Sequence, residues 1–240
     1  MKYIYKTRVP FSQTGVHEGL SVIGAAQIIE DSFCAFFASF GKDSESIIKN
    51  YNAFWVIVAN KFQMRAVAAW NEEIVVESYL TEIRGATVVV DTVVKNSKGE
   101  IALAARTKAC VIDRASQRIR RLSSVEFPED MPVYMSGAGF DFTKKDGAAL
   151  KKEYEFTVPS TAIDFCLHVN NVEYLRFILN AASAEKETEN PVCETEIHYI
   201  NQSREGDALT VLSDKNDGNE YYEIRNGDKV IAKCNIRRSK

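Results

Sequence analysis

Two side chains able to move protons stand close together before a predicted helix start. Asp164 and His168 lie four residues apart, and Asn170 and Asn171 come soon after the histidine. Imidazole has an ordinary pKa near neutral pH, and a carboxylate beside it can activate water or support the imidazole. Backbone N–H groups at a helix start lack intrahelical acceptors and can polarise a carbonyl group. The pattern predicts proton transfer beside a polarised carbonyl; a capping histidine and a turn-forming aspartate are the alternative.

A helix over residues 170–184 should begin at about Asn170. Asn170 has the residue type of an N-cap, and Glu173 stands where its capping-box partner would be. Between residues 172 and 182 only Glu173, Arg176 and Asn180 are polar, and they fall on one narrow stripe. Such a helix is buried on most sides, which a curved antiparallel sheet wrapped around it would achieve.

A second buried helix is predicted in the first half, from Ser21 as N-cap to Gly41 as the C′ residue. Its polar residues Gln27, Glu30 and Asp31 again share one stripe. Runs rich in Val, Ile, Thr and aromatic residues accompany both helices and predict strands. The predicted strands cover residues 3–9, 53–62, 73–82, 87–95, 101–112, 152–158, 193–200, 207–213, 221–225 and 229–237.

The order of these elements repeats along the chain. Each half reads strand, buried helix and four-stranded antiparallel meander, and the turns at 216–218 and 226–227 predict hairpins in the second half. Between the halves, residues 115–150 are rich in glycine, proline and basic residues, which is typical of a linker. We therefore expect an N-terminal domain over residues 1–115, a linker over 116–150 and a C-terminal domain over 151–240.

Composition excludes several classes of protein. The 240 residues carry a formal net charge of −3, which does not fit a general nucleic-acid binder. No apolar run approaches the length of a membrane span, and the N-terminal segment lacks the apolar core of a signal peptide. We expect a cytoplasmic protein with no membrane partner. The five cysteines lack metal-ligand spacing and are expected to be reduced thiols.

The second half also resembles a known family. Asp164, the run His168-Val169-Asn170-Asn171 and Tyr174 resemble the D-x-N-x-H-V-N-N-x-x-Y signature of the acyl-acyl-carrier-protein thioesterases. The resemblance implies an α+β fold of two tandem hotdog domains, each a long central helix wrapped by a curved antiparallel β-sheet. It implies that activated water hydrolyses a fatty acyl thioester to free fatty acid and holo carrier protein, terminating fatty acid synthesis. It requires no metal or other cofactor.

The resemblance also implies roles for single residues. Asp164 and His168 would be catalytic, and Asn170 and Asn171 would cap the helix and aim the amides that hold the thioester oxygen. The first unit would hold the acyl chain, with Trp55 in the lining of its pocket. The partner, an acidic acyl carrier protein with its acyl phosphopantetheine thioester, would meet a basic surface. Candidates for that surface are Arg118, Arg120, Arg121, Lys144, Lys145, Lys151 and Lys152.

Two candidate catalytic positions depart from the family pattern. Cys166 stands where the family has asparagine, and Gln202 stands where a Y-x-x-E stretch has glutamate. A thiolate nucleophile at Cys166, activated by His168, is one interpretation, and a neutral thiol packed in the site is the other. Gln202 cannot be a general base but can hold a water or a carbonyl by hydrogen bonds. Asp164 and His168 would then supply the proton chemistry.

Two other functions stay open. An acyl-coenzyme A thioesterase would not need the basic surface, and a catalytically weakened acyl-binding protein would account for Cys166 and Gln202. Structural roles are expected for His17, in a loop, and His198, in a strand. Each chain would already hold two hotdog domains, so a homodimer is not needed to complete the fold, although exposed sheet edges would permit one.

Overall fold

The computed structural model describes residues 2–128, 130–135, 138–143, 146–147, 149–216 and 218–239. The chain divides into two compact units, Met1–Asp141 and Phe142–Lys240. Several residues named above, from the linker, the basic surface and a hairpin turn, lie outside the described ranges: Ser136, Gly137, Lys144, Lys145 and Asp217. No helix within those ranges is long and apolar enough to cross a membrane.

The long helix of the first unit, α1, spans Val22–Ala38. Ser21 is its N-cap, as predicted, and Ser21 Oγ accepts a hydrogen bond from the Gly24 N–H at 2.9 Å. The regular helix ends at Ala38, and Gly41 is the C′ residue, as predicted. The Lys42 N–H donates to Phe37 O at 2.9 Å and the Gly41 N–H donates to Ala38 O at 3.1 Å, which are the two bonds of a Schellman motif. Gly41 turns the chain away from the helix, because its φ of 70° is a conformation that glycine adopts without strain.

A shorter helix, α2, spans Ser44–Tyr51 and was not predicted. Asp43 caps it, since Asp43 Oδ1 accepts the Ser46 N–H at 3.0 Å. Ile47 is its one fully buried side chain. A mostly polar sequence of this length gives only a weak helix signal, which is why the capping aspartate is the better indicator.

The sheet of the first unit is antiparallel in the order β1-β3-β4-β5-β2, with β6 beside β5. Its strands are β1 (Lys2–Arg8), β2 (Ala53–Met64), β3 (Glu73–Arg84), β4 (Thr87–Lys95), β5 (Ile101–Asp113) and β6 (Ile119–Arg120). The predicted four-stranded meander is wrong in one respect. Only β3, β4 and β5 form a meander, because β2 pairs with β5 instead of β3. Helix α1 packs on β3, β4 and β5.

Aromatic rings fill the space between α1 and β2. Phe33 and Phe37 of α1 stack with ring centroids 4.4 Å apart, and Trp55 of β2 lies edge-on to Phe37 at 4.8 Å. Phe127 closes the cluster with its centroid 5.7 Å from that of Trp55. Burial of such large rings supplies much of the stability of a small core.

The helix predicted at 170–184 ends earlier than expected, and a second short helix that was not predicted follows it. Helix α3 spans Asn171–Leu179, with Asn170 as the predicted N-cap, and α4 spans Ala184–Glu189. The break occurs because Ser183 begins a new helix: Ser183 Oγ accepts the Lys186 N–H at 3.1 Å. The apolar pattern continued through the break and concealed it.

The sheet of the second unit repeats the strand order of the first. Its strands are β7 (Lys151–Thr157), β8 (Val192–Tyr199), β9 (Ala208–Asn216), β10 (Asn219–Asn226) and β11 (Lys229–Arg238). Their antiparallel order is β7-β9-β10-β11-β8. Element for element this is the order of β1 to β5, so each unit is one sheet with one principal helix. This is the hotdog arrangement, and the overall fold is α+β.

Much of the segment 116–150 lies against the sheets. In the first unit a 3₁₀ helix spans Leu122–Val125, and Arg106 Nη1 donates to Asp141 Oδ1 at 2.6 Å. In the second unit the Thr143 N–H and hydroxyl each donate to the buried Glu196 carboxylate at 2.7 Å. Charged and polar side chains of the strands therefore anchor this segment to both units.

Candidate active site

The loop before α3 carries Asp164 and His168 and closes on its own backbone; we call residues 163–169 the second-unit loop. The Asp164 N–H donates to His168 O at 2.9 Å, and the Leu167 N–H donates to Asp164 O at 3.0 Å. Ile163 and Val169 pair across the base of this turn. Leu167 has a φ of 63°, which costs energy for a residue other than glycine. The turn is therefore closed by backbone hydrogen bonds and slightly strained.

The Asp164 carboxylate is part of this turn. Asp164 Oδ1 accepts the backbone N–H of Cys166 at 2.7 Å and that of His168 at 3.5 Å. These bonds are those that the turn-forming interpretation expects. The carboxylate therefore stabilises the loop, and its negative charge acts on the imidazole from close by.

His168 is half-buried, and its surroundings favour the neutral ring. Burial lowers the pKa of His168 below its ordinary value, the positive charge of Arg204 lowers it further, and the Asp164 charge opposes both. His168 Nδ1 is buried and has no hydrogen-bond partner among the described residues. Asp164 therefore does not orient the ring through Nδ1, as a relay of the carboxylate–imidazole kind would require. A neutral imidazole is the form that can accept a proton.

A neighbouring segment, residues 200–207, is tied to the second-unit loop. Ser203 O accepts the Val169 N–H at 3.0 Å, and the Ser203 N–H donates to Tyr174 Oη at 2.9 Å. Gln202 precedes this fully buried serine and is itself exposed. Arg204 follows it, with its N–H donating to Asp207 Oδ2 at 2.9 Å. The structure thus brings this segment beside the histidine loop.

The start of α3 is capped differently from the prediction. Asn170 Oδ1 accepts the N–H of the second helical residue at 2.8 Å. The Asn170 N–H, which a capping box would direct at Glu173, donates to Ala162 O at 2.9 Å. The Glu173 carboxylate accepts from Arg176 Nε at 3.1 Å. The N-cap prediction is confirmed. The predicted capping-box partner, Glu173, instead forms an ion pair with Arg176 on the helix surface.

One amide at this helix start is left for a ligand. The Glu173 N–H donates to Asn170 O at 3.0 Å, whereas the Asn171 N–H has no acceptor within the described part of the chain. Asn171 O, which belongs to the following peptide group, accepts from Tyr199 Oη at 3.3 Å. The Asn171 N–H also lies at the positive end of the helix dipole, so it can hold a developing oxyanion.

Cys166 lies in the second-unit loop, half-buried and outside any disulfide bond. Its backbone is fixed by Asp164, and its neighbours Phe165 and Leu167 are 74% and 73% exposed. The two interpretations of the thiol, nucleophile or packed neutral group, stay predictions.

Trp55 lies in the first unit and is packed in its core. Its side chain is buried, and the indole Nε1 donates to Lys42 O at 2.7 Å. A cavity of about 420 Å³ lies elsewhere in this unit, beside Tyr3 and Tyr5 of β1 and Ile28 of α1. The role of Trp55 in lining an acyl pocket stays a prediction.

The first unit contains a counterpart of the second-unit loop, residues 14–20, which we call the first-unit loop. The Gly15 N–H donates to Gly19 O at 3.0 Å, and the Glu18 N–H donates to Gly15 O at 3.2 Å. Glu18 has a φ of 58°. Gly15 and Gly19 thus take the places of Asp164 and His168. The sequence of this loop shows no matching motif, because the two loops share a backbone conformation and do not share a residue pattern.

Both of these glycines are packed against neighbouring atoms. A Cβ atom at Gly19 would lie 2.9 Å from Ala68 O and 3.0 Å from a Val67 methyl group. A Cβ atom at Gly15 would lie 3.1 Å from Ser21 Cβ. Larger side chains at these two positions of the first-unit loop would therefore require neighbouring atoms to move.

The expected basic docking surface is only partly available. Arg120 Nη1 donates to Tyr51 O at 2.7 Å and the side chain pairs with Asp113 at 3.5 Å, so Arg120 supports the first unit. Arg118 and Arg121 are exposed.

Among the described residues, no group of three or more His, Cys, Asp or Glu side chains could hold a metal ion.

Sequence reasoning missed the contributions of Tyr174, Ser203 and Arg204. The available signal was position: Ser203 and Arg204 follow the Gln202 site directly, and Tyr174 stands four residues after the helix cap. Their contacts depend on how the chain folds back, which spacing alone does not show.

Two tandem hotdog units, one of them with a neutral histidine before its principal helix, define the class of hotdog thioester hydrolases. The family models for the N-terminal and C-terminal domains of acyl-ACP thioesterases match residues 1–127 and 145–239. The chain therefore belongs to the acyl-ACP thioesterase family and is a thioester hydrolase of acyl-ACP type. No curated protein matches the chain by sequence.

Solved structures show the same fold along the whole chain. An acyl-ACP thioesterase from Bacteroides thetaiotaomicron superposes with a TM-score of 0.87 at 15% identity, covering 99% of this chain and 98% of that one. A 12:0-ACP thioesterase from Umbellularia californica gives 0.83 at 12% identity, covering 99% and 97%. At such identities the likeness shows the fold alone.

Proposed function

We propose that this enzyme hydrolyses the thioester between a fatty acyl chain and the phosphopantetheine arm of acyl carrier protein, which terminates fatty acid synthesis. The observation that supports this most directly is the half-buried His168, whose surroundings favour the neutral ring and which stands two residues before the cap of α3. The family supplies the substrate class, and the loop supplies the chemistry.

In the proposed reaction His168 takes a proton from water while the water oxygen bonds to the thioester carbonyl carbon. The carbonyl oxygen becomes negative and accepts a hydrogen bond from the Asn171 N–H. The C–S bond then breaks, and the proton on His168 passes to the departing thiolate. The products are the fatty acid and the free thiol of the carrier arm.

Asp164 has a supporting role in this mechanism. Its Oδ1 fixes the loop through the N–H groups of Cys166 and His168, and its charge stabilises the imidazolium that forms during water attack. Cys166 acts as a neutral packed thiol. The exposed amide of Gln202 holds water at the edge of the site, where the family glutamate would stand.

The direct test is thiol release from a panel of acyl-ACP and acyl-coenzyme A thioesters of several chain lengths. The proposal expects turnover of the carrier thioesters that is lost in His168→Ala and kept in Cys166→Ala. Loss in Cys166→Ala with trapping of an acyl-enzyme would contradict water attack in favour of a thiolate. Binding of acyl groups without release from any thioester would leave an acyl-binding protein.

The carrier-protein donor has its own test. Arg118→Glu and Arg121→Glu should weaken turnover of acyl-ACP and leave acyl-coenzyme A turnover unchanged, because only the carrier is strongly acidic. Arg120 is unsuitable, since its bond to Tyr51 O supports the fold. A preference for coenzyme A thioesters, unchanged by either reversal, would favour the coenzyme A enzyme.

Homodimer formation stays a prediction that light scattering can test.

A further inference from the structure

Tyr174 connects α3 to the histidine loop through the backbone of one residue, Ser203, whose N–H and C=O belong to successive peptide groups. Its side chain is 3% exposed, and its Oη accepts the Ser203 N–H at 2.9 Å. The carbonyl of the same serine accepts the Val169 N–H at 3.0 Å. Two hydrogen bonds therefore lead from a buried phenol oxygen to the residue that directly follows His168.

The first unit has one of these bonds and lacks the other. The Leu20 N–H donates to Ala68 O at 2.8 Å, which corresponds to the bond between Val169 and Ser203. The helix residue four positions after the cap, where Tyr174 stands in the second unit, is Ala25. The loop-to-segment bond thus belongs to the shared fold, whereas the tyrosine contact occurs in the unit that carries the histidine.

We infer that Tyr174 is a positioning residue for His168. It fixes the backbone of Ser203, whose carbonyl oxygen fixes the Val169 N–H and with it the place of the imidazole relative to the Asn171 amide. This inference rests on the proposed function. Without the phenol oxygen the buried Ser203 N–H loses its acceptor, which is costly enough to rotate the peptide. A displacement of about 1 Å at a reacting group can cost about 10²-fold in rate.

The test is Tyr174→Phe, with Tyr154→Phe as the matched control. Tyr154 Oη donates to Phe177 O, so this second variant also removes a tyrosine hydrogen bond to the α3 region, away from Ser203 and the loop. Both variants should lower Tm. At a temperature where both are folded, Tyr174→Phe should lower kcat about 10- to 100-fold with a smaller change in KM. Tyr154→Phe should keep wild-type kcat.

Amide hydrogen exchange gives a readout that does not depend on activity. Exchange of the Val169 amide should become faster in Tyr174→Phe and stay unchanged in Tyr154→Phe. Equal kcat and equal Val169 exchange in the two variants would overturn the inference. A wild-type protein with no thioester turnover would contradict the proposed function instead, and Val169 exchange would still decide whether Tyr174 holds the loop.

Discussion

The first-unit loop and the second-unit loop have the same backbone and carry different side chains. Each closes with a bond from residue one of the turn to residue five, and each contains a residue with φ near 60°. The second carries Asp164 and His168, and the first carries Gly15 and Gly19 at the same places. The comparison shows that the duplicated loop is a structural part of the unit, to which chemistry is added by side chains.

The comparison also shows what the chemistry requires beyond those side chains. Around His168 the structure supplies a charge of each sign, Asp164 and Arg204, and a phenol that holds the neighbouring segment. Around Gly19 the space that an imidazole would need is filled by Ala68 O and Val67. An active loop therefore needs room, charges and a fixed neighbour together.

The largest effect is expected from His168→Ala, which removes from the second-unit loop the imidazole that has no counterpart at Gly19 of the first-unit loop. Loss of a general base typically costs about 10²–10⁴-fold in rate, so kcat/KM should fall by that amount. The fold should be unaffected, because His168 Nδ1 makes no hydrogen bond to the described residues. Steady-state kinetics with Tm as control measures both. Retained turnover would place the base elsewhere.

Two substitutions at Asp164 separate the effect of its hydrogen bonds in the loop from the effect of its negative charge. Asp164→Asn keeps an acceptor for the Cys166 and His168 N–H groups but removes the negative charge, so kcat should fall roughly tenfold through the charge alone. Asp164→Ala removes both and should lose more activity as well as Tm. Equal kcat in the two variants, each far below wild type, would instead indicate that Asp164 is itself the base.

The reverse graft, Gly19→His, should fail to create a second site. The new Cβ would lie 2.9 Å from Ala68 O, and overpacking of this kind costs about 1–3 kcal/mol of unfolding free energy. Chemical denaturation measures the loss. Val16→His, at an exposed position in the same loop, is the matched control and should be nearly neutral. A stable Gly19→His protein would mean that the loop can open.

Arg204 should shift the pH dependence of the second-unit loop. Its positive charge disfavours the imidazolium, so wild-type kcat/KM should keep its activity to a pH below the ordinary histidine pKa of about 6.5. Removing that charge in Arg204→Gln raises the pKa of His168, and the acid limb moves to higher pH. Arg237→Gln, which removes a charge paired with Glu194, should leave the limb in place.

The smallest expected effect is a change in the free energy of unfolding, and it should have the same sign in both loops. Glu18→Gly and Leu167→Gly relieve a left-handed conformation that costs about 1–2 kcal/mol, and the greater freedom of glycine in the unfolded chain offsets part of that gain. Each should raise the unfolding free energy by up to about 1 kcal/mol. Val16→Gly should lower it. Opposite signs for the two loops would show that their turns are not equivalent.

Local signals predicted most of the elements. Ser21 and Asn170 marked both helix starts because a capping side chain acts within a few residues, and the strands followed β-branched runs. The order of pairing was not predictable in this way. Nothing local to β2 shows that it pairs with β5 instead of β3, since the pairing joins segments that are distant in the chain.

The candidate site was predicted in its residue types and missed in its contacts. The spacing of Asp164 and His168 located the loop, and the family resemblance gave the reaction. The bonds that organise it, from Tyr174 to Ser203 and from Ser203 to Val169, join parts of the chain that are about 30 residues apart. Spacing within a motif carries no record of such contacts.

The pairing of β2 with β5 has a consequence for how the chain folds during synthesis. The hairpins β3-β4 and β4-β5 join neighbouring segments and can close early, but β2 is synthesised before these strands and must wait for β5. The first unit is therefore expected to expose one unpaired, partly apolar strand until β5 has been made, which is when a nascent chain is most exposed to aggregation.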